Sequence, residues 1–196
     1  MRTKTPQYSD RMLEAAGRLF GTRRFHEVRM DDVAAEAEVS KGTLYRYFRD
    51  KSEMYLALLA RASRQFVSEL QERSAAAHSA RGRLIAMVDA IIEFFDSRPH
   101  LFDLIQRAEI RRELGEAFPW QEARDETLRL VQDSFEQGGA EGEFNVRRPE
   151  LAALMLLGGL RAVIRFGPQS RPADLARDLV NDFLQGAAGI SEGDGR

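Results

Sequence analysis

Apolar side chains recur with a helical period through most of this chain. In the first fifty residues, one stripe consists of Met12, Leu13, Ala16, Leu19 and Phe20, and a second of Met30, Val33, Ala34 and Ala37. Stripes of this kind mark the buried face of an amphipathic helix. They predict helices over about 10–21, with Ser9 as N-cap, and over 30–37, and Ser40 predicts a third helix from Lys41.

Beyond residue 50 the same periodicity predicts longer helices. Asp50 and Glu53 are spaced as a capping box, and no breaker interrupts the pattern from Lys51 to about residue 77, a helix of about 40 Å. Further helices are predicted from Gly82, over about 100–112, from Pro119 to Gln137 with Gly138-Gly139 as the stop, from Pro149 and from Pro172. The sequence therefore predicts an all-α protein of about nine helices.

Composition supports this fold class and excludes several functions. Ala, Leu, Glu and Arg total 90 residues, whereas the β-branched Val, Ile and Thr total 21, and there is no cysteine. A disulfide scaffold, a thiol nucleophile and a Cys-ligated metal are thus excluded. No apolar run has the length of a membrane span or of a signal peptide, so we expect a soluble, cytoplasmic protein without membrane contact.

The net charge of −2 is unevenly distributed. Residues 1–52 carry 11 basic and 8 acidic side chains, a net +3, and residues 53–196 carry a net −5. Because an average over two different regions misleads, the overall acidity does not exclude a nucleic-acid partner. The charge division favours two domains, over 1–52 and 53–196.

Residues 30–48 place two short helices around the interruption Glu38-Val39-Ser40, the layout of a helix-turn-helix. The second helix carries donors suited to phosphates and base edges, namely Lys41, Thr43, Tyr45, Arg46 and Tyr47. Gly42 lets the DNA backbone approach closely, and Lys51 opens the next helix, where phosphate binds well. An ordinary polar face on a three-helix bundle is the alternative.

This segment, from Ser9 to Leu59, resembles the DNA-binding domain of the TetR family of bacterial transcriptional repressors. The resemblance is carried by Val33-Ala34, Ala37, Val39-Ser40-Lys41-Gly42-Thr43-Leu44-Tyr45, Tyr47-Phe48 and Lys51. It implies DNA contacts by Lys41, Gly42, Thr43, Tyr45, Tyr47 and Lys51. It also implies a long helix joining this domain to a C-terminal ligand-binding and dimerisation domain.

Three positions depart from the family pattern. Arg24 and Glu38 stand where the family usually has glycine, and Arg29 stands where a threonine usually caps the second helix and touches phosphate. Arg29 can itself reach a phosphate, so we include it among the expected DNA contacts. Glu38 would repel DNA if its side chain pointed towards it.

Candidate ligand contacts lie on the middle helices. Phe102, Ile105, Trp120 and Leu128 are the apolar candidates, and core packing is the favoured alternative for each of them. Arg161 and Arg165 share a helix face and fit an anionic ligand, an interhelical salt bridge or a dimer contact. Few polar candidates are present, so we expect an apolar or aromatic effector.

Gly158-Gly159 interrupts an apolar helix at a cost of about 1 kcal/mol per glycine unless another helix approaches closely. We therefore expect the helices near 150–167 and 172–187 to pair with their symmetry mates in a homodimer, as the resemblance also implies.

The sequence predicts a ligand-responsive repressor that binds a near-palindromic DNA operator as a homodimer and is released by a small molecule. Activation instead of repression is equally compatible with it. A helical carrier or enzyme, with the first domain as a packing module only, is the alternative of another class. His26, His78 and His100 are isolated in the sequence, so we expect no catalytic group, metal site or cofactor.

Overall fold

The computed structural model describes residues 6–99, 101–102, 105, 120–168 and 170–187, and every regular element in them is a helix. The chain divides into two compact units, residues 1–64 with 98–121 (the first unit) and residues 65–97 with 122–196 (the second unit). The helices are α1 (Pro6–Thr22), α2 (Met30–Glu36), α3 (Lys41–Tyr47), α4 (Lys51–Ala76), α5 (Ala80–Asp96), α6 (Gln121–Ala140), α7 (Pro149–Phe166) and α8 (Leu175–Ala187). The all-α prediction is confirmed.

The first unit is built around both predicted stripes. Met12, Leu44 and Met54 are fully buried between α1, α2, α3 and the start of α4, with Val28 and Val33 beside them. Arg61 on α4 adds ion pairs at the surface, to Asp10 at 3.4 Å and Glu14 at 3.0 Å on α1. The residues that the periodicity places on one face therefore do meet in one core.

Most predicted boundaries are confirmed within two or three residues, and the exceptions have local causes. Helix α1 begins at Pro6, so Ser9 lies inside its first turn and is not the N-cap. Helix α8 begins at Leu175, three residues after Pro172. The predicted helix over 100–112 falls largely outside the described residues. Within that range the structure describes Leu101, Phe102 and Ile105, and all three are helical.

At the start of α4, half of the predicted capping box is present. The Asp50 carboxylate accepts the Glu53 amide at 2.8 Å, whereas the Glu53 carboxylate accepts the Arg49 amide, one residue before the cap. The Glu53 amide, followed by the Arg49 side chain, lowers the pKa of Asp50. Both carboxylates thus lie at the positive end of the long helix, where negative charge is stabilising.

The second unit has α5 at its centre. This helix buries Leu84, Met87, Val88 and Phe94 and packs against both α7 and α8. Phe66 of α4 packs on Phe94 with ring centroids 4.8 Å apart. Buried residues therefore occupy more than one face of α5.

The connection between α6 and α7 corrects the predicted helix stop. Helix α6 continues through Gly138-Gly139 to Ala140, and the chain turns at Gly142, whose φ is +73°. A Cβ atom on Gly138 would lie 2.0 Å from Cζ of Phe144. Gly138 therefore provides space for an aromatic ring that also packs edge-on against Phe135, at 6.1 Å between centroids.

Glu143, which lies between Gly142 and Phe144, caps the N-terminus of α5. The Glu143 carboxylate accepts the backbone amides of Ala80 at 2.9 Å and Arg81 at 3.0 Å, at the N-terminus of α5. These bonds, led by the one from Arg81, lower the pKa of Glu143. The α6–α7 connection, residues 141–148, is thereby joined to α5.

The α7–α8 connection is held by one arginine. Arg171 is 13% exposed in its side chain and donates to the Asp96 carboxylate at 2.5 Å. It also approaches the backbone oxygens of Val163 at 3.3 Å and Ile164 at 3.4 Å in the last turn of α7. One guanidinium thus joins the ends of α5 and α7.

The face of α7 opposite its buried residues is exposed and mostly apolar. It carries Leu151, Leu154, Met155 and Phe166, the last two 67% and 82% exposed. Gly158 and Gly159 lie on this side, and a Cβ atom on either would have no atom within 4 Å. A helix surface of this composition is typical of a protein interface.

Candidate nucleic-acid interface

The site begins with two short helices whose ends are fixed by local hydrogen bonds. Asp31 and Asp32 lie in the first turn of α2, and the Arg29 amide donates to the Asp32 carboxylate at 3.1 Å. At α3 the Ser40 hydroxyl accepts the Thr43 amide at 3.1 Å, which confirms the predicted N-cap. Caps of this kind let helices of seven residues begin at defined positions.

The turn between α2 and α3 contains a left-handed residue. Glu38 has a φ of +53°, a conformation in which glycine has no steric penalty and glutamate does. The turn nevertheless closes, with the Val39 amide donating to the Ala34 oxygen at 2.9 Å. Arg11 of α1 supports it by donating to the Ala37 oxygen at 2.8 Å and to the Glu38 carboxylate at 3.2 Å.

The outward face of α3 consists of Lys41, Gly42, Tyr45 and Arg46. All four are exposed, Tyr45 by 51%, and a Cβ atom on Gly42 would have no atom within 4 Å. Leu44 and Phe48 are buried on the opposite side, as their spacing predicts. The helix therefore presents two cations, a phenol hydroxyl and a bare stretch of backbone to the same side.

Lys41 has an intramolecular partner on α2. Its ammonium donates to the Asp31 carboxylate at 2.6 Å, and this hydrogen bond and the charge of Asp31 raise the pKa of Lys41. Both side chains are about half exposed or more, so the pair is weak by comparison with a buried one. A phosphate can therefore compete with Asp31 for the lysine.

Two predicted contacts are turned towards the protein. The Thr43 hydroxyl lies 2.9 Å from that of Ser40, and Thr43 is half-buried. Tyr47 is only 8% exposed and packs in the core of the first unit, with the Arg46 guanidinium 5.6 Å from its ring centroid. Little of Tyr47 is therefore accessible to DNA, and its ring contributes to the core.

Lys51 likewise has partners within the protein. Its ammonium donates to the backbone oxygens of Phe25 at 2.7 Å and Val28 at 2.9 Å. It also lies 4.4 Å from the centroid of the Phe25 ring, at cation–π distance. The residue thus fastens the α1–α2 connection, residues 23–29, to the first turn of α4.

Sequence reasoning missed the residues that support this site. Arg11 lies on the polar side of α1. Asp31 is one of two acidic residues at the start of α2, where negative charge is already favourable without a partner on α3. Arg11 pairs with Glu38, 27 positions away, and Asp31 pairs with Lys41, 10 positions away. No local pattern in the sequence predicts pairs at such separations. The visible signal in the sequence is Glu38, a glutamate in a turn that favours glycine. Such a residue suggests that a cation elsewhere in the chain stabilises the turn.

The predicted ligand contacts are distributed over both units. Ile105 and Trp120 are buried and Phe102 is half-buried in the first, while in the second Leu128 is half-buried and Arg161 is exposed on α7. Their role in ligand binding stays a prediction.

Within the described residues, no three His, Asp or Glu side chains are grouped as metal ligands would be. The helices in those ranges are also too short or too polar for any of them to cross a lipid bilayer.

The fold and the α2–α3 geometry define a helical protein with a helix-turn-helix module. Comparison with family models gives the same class in both regions: residues 12–58 match the bacterial regulatory proteins of the tetR family, and residues 77–186 match a tetracyclin repressor-like C-terminal domain. The chain belongs to the TetR family of bacterial regulatory proteins.

Relatives carry regulator names. Over 94 residues the chain is 36% identical to the HTH-type transcriptional activator FasR of Mycolicibacterium smegmatis, covering 48% of this chain and 43% of that protein. It is 22% identical over 112 residues to the fatty acid metabolism regulator protein of Bacillus subtilis, covering 57% of each. The chain thus aligns with about half the length of these curated relatives.

Solved structures share the fold over nearly the whole chain. A TetR-like transcriptional regulator from Rhodococcus sp. RHA1 superposes with a TM-score of 0.72 at 29% identity, covering 96% of this chain and all of that one. The FadR regulator of Bacillus subtilis, solved in complex with stearoyl-CoA, gives 0.72 at 18% identity over 90% and 98%.

Proposed function

We propose that this protein is a homodimeric, ligand-responsive transcriptional repressor acting in the cytoplasm. Two copies of α3 enter successive major grooves of a near-palindromic operator, and a small molecule bound in the C-terminal domain releases the DNA. The observation that carries this proposal is the outward face of α3, where Lys41, Tyr45 and Arg46 surround the open backbone of Gly42.

The roles of the two regions follow the division expected from charge. Residues 1–52 bind DNA and residues 53–196 bind the effector and dimerise, in agreement with the separate family models over 12–58 and 77–186. The proposed contacts are Arg29, Lys41, Gly42, Thr43, Tyr45, Arg46 and Lys51, while Tyr47 supports them from the core of the first unit.

Dimerisation is supported by the exposed face of α7. Leu154, Met155 and Phe166 would be buried against the same face of a second copy, and Gly158 and Gly159 would allow the two helices to approach closely. Arg161 is also exposed on α7, which favours the dimer contact among its three possible roles.

The effector is apolar or carries an apolar chain. The bound stearoyl-CoA of the Bacillus subtilis FadR structure makes a long-chain acyl-CoA the first compound to test. Phe102, Ile105, Trp120 and Leu128 remain the proposed contacts of this chain.

DNA binding is tested by a gel-shift assay with the DNA upstream of the protein's own gene, repeated over a salt series. We expect log K to fall steeply with log salt concentration, because several phosphates are neutralised. Replacing Arg46 by Ala should lower the affinity about 10-fold and reduce the slope by about one phosphate, roughly 0.9. The control Arg124→Ala, an exposed arginine on α6, should change neither. Binding that is unaffected by salt would contradict the proposal.

Effector coupling is tested by adding stearoyl-CoA to the DNA complex, with free coenzyme A as control. The acyl compound should lower operator affinity by about 5-fold or more, the range of ordinary allosteric coupling. Bound stearoyl-CoA with unchanged operator affinity would contradict the switch.

Activation is the second candidate, favoured by the activator name of the Mycolicibacterium smegmatis relative. A reporter gene behind the operator distinguishes the two, since deletion of the protein raises expression for a repressor and lowers it for an activator.

A further inference from the structure

We propose that Asp31 is a specificity-determining residue, which makes Lys41 favour the neutral acceptors of base edges over the anionic phosphates of DNA. The inference rests on the proposed DNA binding and concerns how the protein distinguishes its operator from other DNA. It starts from the carboxylate of Asp31 on α2, which accepts a hydrogen bond from the Lys41 ammonium on α3 at 2.6 Å.

The two cations on the outward face of α3 differ in their surroundings. The Lys41 ammonium has the Asp31 carboxylate beside it, and the side chains of Lys41 and Asp31 are 67% and 49% exposed. The Arg46 guanidinium lies 5.6 Å from the Tyr47 ring centroid and has no carboxylate partner among the residues that the structure describes. Arg46 therefore offers DNA a full positive charge, whereas the charge of Lys41 is partly compensated.

The other acidic residue in the first turn of α2 has a different role. The Asp32 carboxylate accepts the Arg29 amide at 3.1 Å and lies 3.5 Å from the Arg23 guanidinium. Asp32 thus satisfies the start of its own helix, while Asp31 reaches across to α3. The helix N-terminus explains the charge of Asp31 but not its position beside a DNA-facing lysine.

The hydrogen bond with Asp31 leaves Lys41 able to donate to DNA. An ammonium has three N–H groups, and Asp31 occupies one of them. A further acceptor can therefore bind Lys41 while the ion pair stays intact, and the charge of that acceptor decides how well it binds.

Phosphates and base edges differ in this charge. A phosphate oxygen bound to the same ammonium would lie about 5 Å from the Asp31 carboxylate, where the two negative charges repel each other. The N7 and O6 atoms of guanine are neutral acceptors for lysine in the major groove and do not meet this repulsion. Asp31 therefore weakens the contacts of Lys41 with phosphates, which every DNA sequence offers, more than its contacts with a guanine of the operator.

The test compares binding of the full-length protein to the upstream DNA fragment and to a shuffled duplex of the same length and composition. Asp31→Asn keeps the size of the side chain and removes its charge. We expect it to raise the affinity for shuffled DNA by about 5-fold or more, and for the upstream fragment by no more than about 2-fold. The salt slope on shuffled DNA should steepen by roughly 0.9, the value for one additional phosphate.

The matched control is Glu36→Gln, which removes the same charge from α2 at a residue paired with Arg18 at 2.8 Å. It should raise both affinities by the same small factor. In the Lys41→Met background, Asp31→Asn should have no larger effect than this control, because the lysine through which Asp31 acts is absent. Asp31→Glu keeps the charge and should retain most of the ratio of the two affinities.

Two results would overturn the inference. If Asp31→Asn leaves the affinity ratio unchanged, or changes it equally in the Lys41→Met background, Asp31 does not act through Lys41. If the ratio falls only because operator binding weakens, Asp31 supports an operator contact and does not repel phosphate. A wild-type protein that binds the upstream and shuffled DNA equally well is a separate result, which rejects the proposed function together with the inference.

Discussion

The outward faces of α3 and α7 present opposite chemistry. On α3 the exposed residues are Lys41, Gly42, Tyr45 and Arg46, whereas α7 exposes four large apolar side chains, those of Leu151, Leu154, Met155 and Phe166, beside Arg161 and Arg165. Among the described residues, the large exposed apolar side chains of the first unit are Tyr8 on α1, Tyr45 on α3 and Leu56 on α4, whereas those of the second unit all lie on α7. The contrast fits the two partners proposed above, DNA for the first face and a second copy of the chain for the second.

The α6–α7 connection differs from the connections of the first unit in the groups that hold it. In the first unit, Arg11 and Lys51 donate to backbone oxygens. In the α6–α7 connection of the second unit, the Phe144 ring packs on Gly138 and the Glu143 carboxylate accepts helix amides. Substitutions at these positions therefore test the two units separately.

The largest effect is expected from a charge placed on the apolar face. Met155→Glu would bury two carboxylates at a symmetric interface, so the dimer dissociation constant should rise by about 100-fold or more. Sedimentation velocity over a concentration series measures it. Ala75→Glu adds the same charge to an exposed position of α4 and should leave the dimer intact. A Met155→Glu protein that stays dimeric would show that another face pairs.

A glycine substitution tests the packing of Phe144. Gly138→Ala forces a Cβ into the ring and should lower the free energy of unfolding by about 2 kcal/mol, measured by urea denaturation. At Gly139 nothing lies within 4 Å, so Gly139→Ala should instead stabilise the helix by up to about 1 kcal/mol. Equal effects of the two substitutions would contradict the role assigned to Gly138.

A substitution in the α2–α3 turn should have a smaller effect than Gly138→Ala, and it should stabilise the protein instead of destabilising it. Glu38→Gly should raise the free energy of unfolding by about 1 kcal/mol, because glycine relieves the left-handed strain at φ +53°. Glu36→Gly is the matched control, since Glu36 also pairs with an α1 arginine, Arg18 at 2.8 Å, but lies in the helix. That control should destabilise by about 1 kcal/mol. Loss of stability in Glu38→Gly would mean that the ion pair with Arg11 outweighs the strain.

The smallest effect concerns the α5 cap. The pKa of Glu143 is lowered, so its contribution to stability is present above its ordinary value of 4.5 and is lost as pH falls through the depressed pKa of the folded state. Glu143→Gln should therefore cost about 0.5 kcal/mol at neutral pH and nothing near pH 2. Thermal midpoints from pH 2 to 7 measure the difference, and a gap that persists at low pH would contradict the charge-based account.

Helix-forming patterns predict this fold well, because they depend on neighbours three or four residues away. The stripes of α1 and α2 and the Ser40 cap were all predicted from such local spacing. The stop at Gly138-Gly139 was wrong because the reason for Gly138 lies in the ring of Phe144, beyond the helix end.

The candidate site was predicted less completely. Residue type distinguishes donors from apolar groups, so Lys41, Tyr45 and Arg46 were found from sequence. It does not show where a flexible side chain ends, and the ammonium of Lys51 lies on carbonyl oxygens 23 and 26 residues away. Tyr47 likewise carries a hydroxyl group of a type that can bind DNA, but its ring is buried, and residue type does not show that burial.

The contacts of Arg171 determine where the α7–α8 connection can change length. Surface connections usually tolerate insertions. One residue added between Gly167 and Arg171 would displace the guanidinium by up to about 3.3 Å, enough to separate it from Asp96 and from the α7 carbonyls. An insertion after Arg171, between Pro172 and Asp174, leaves those bonds in place. Natural length variation in this connection is therefore expected only on the α8 side of Arg171.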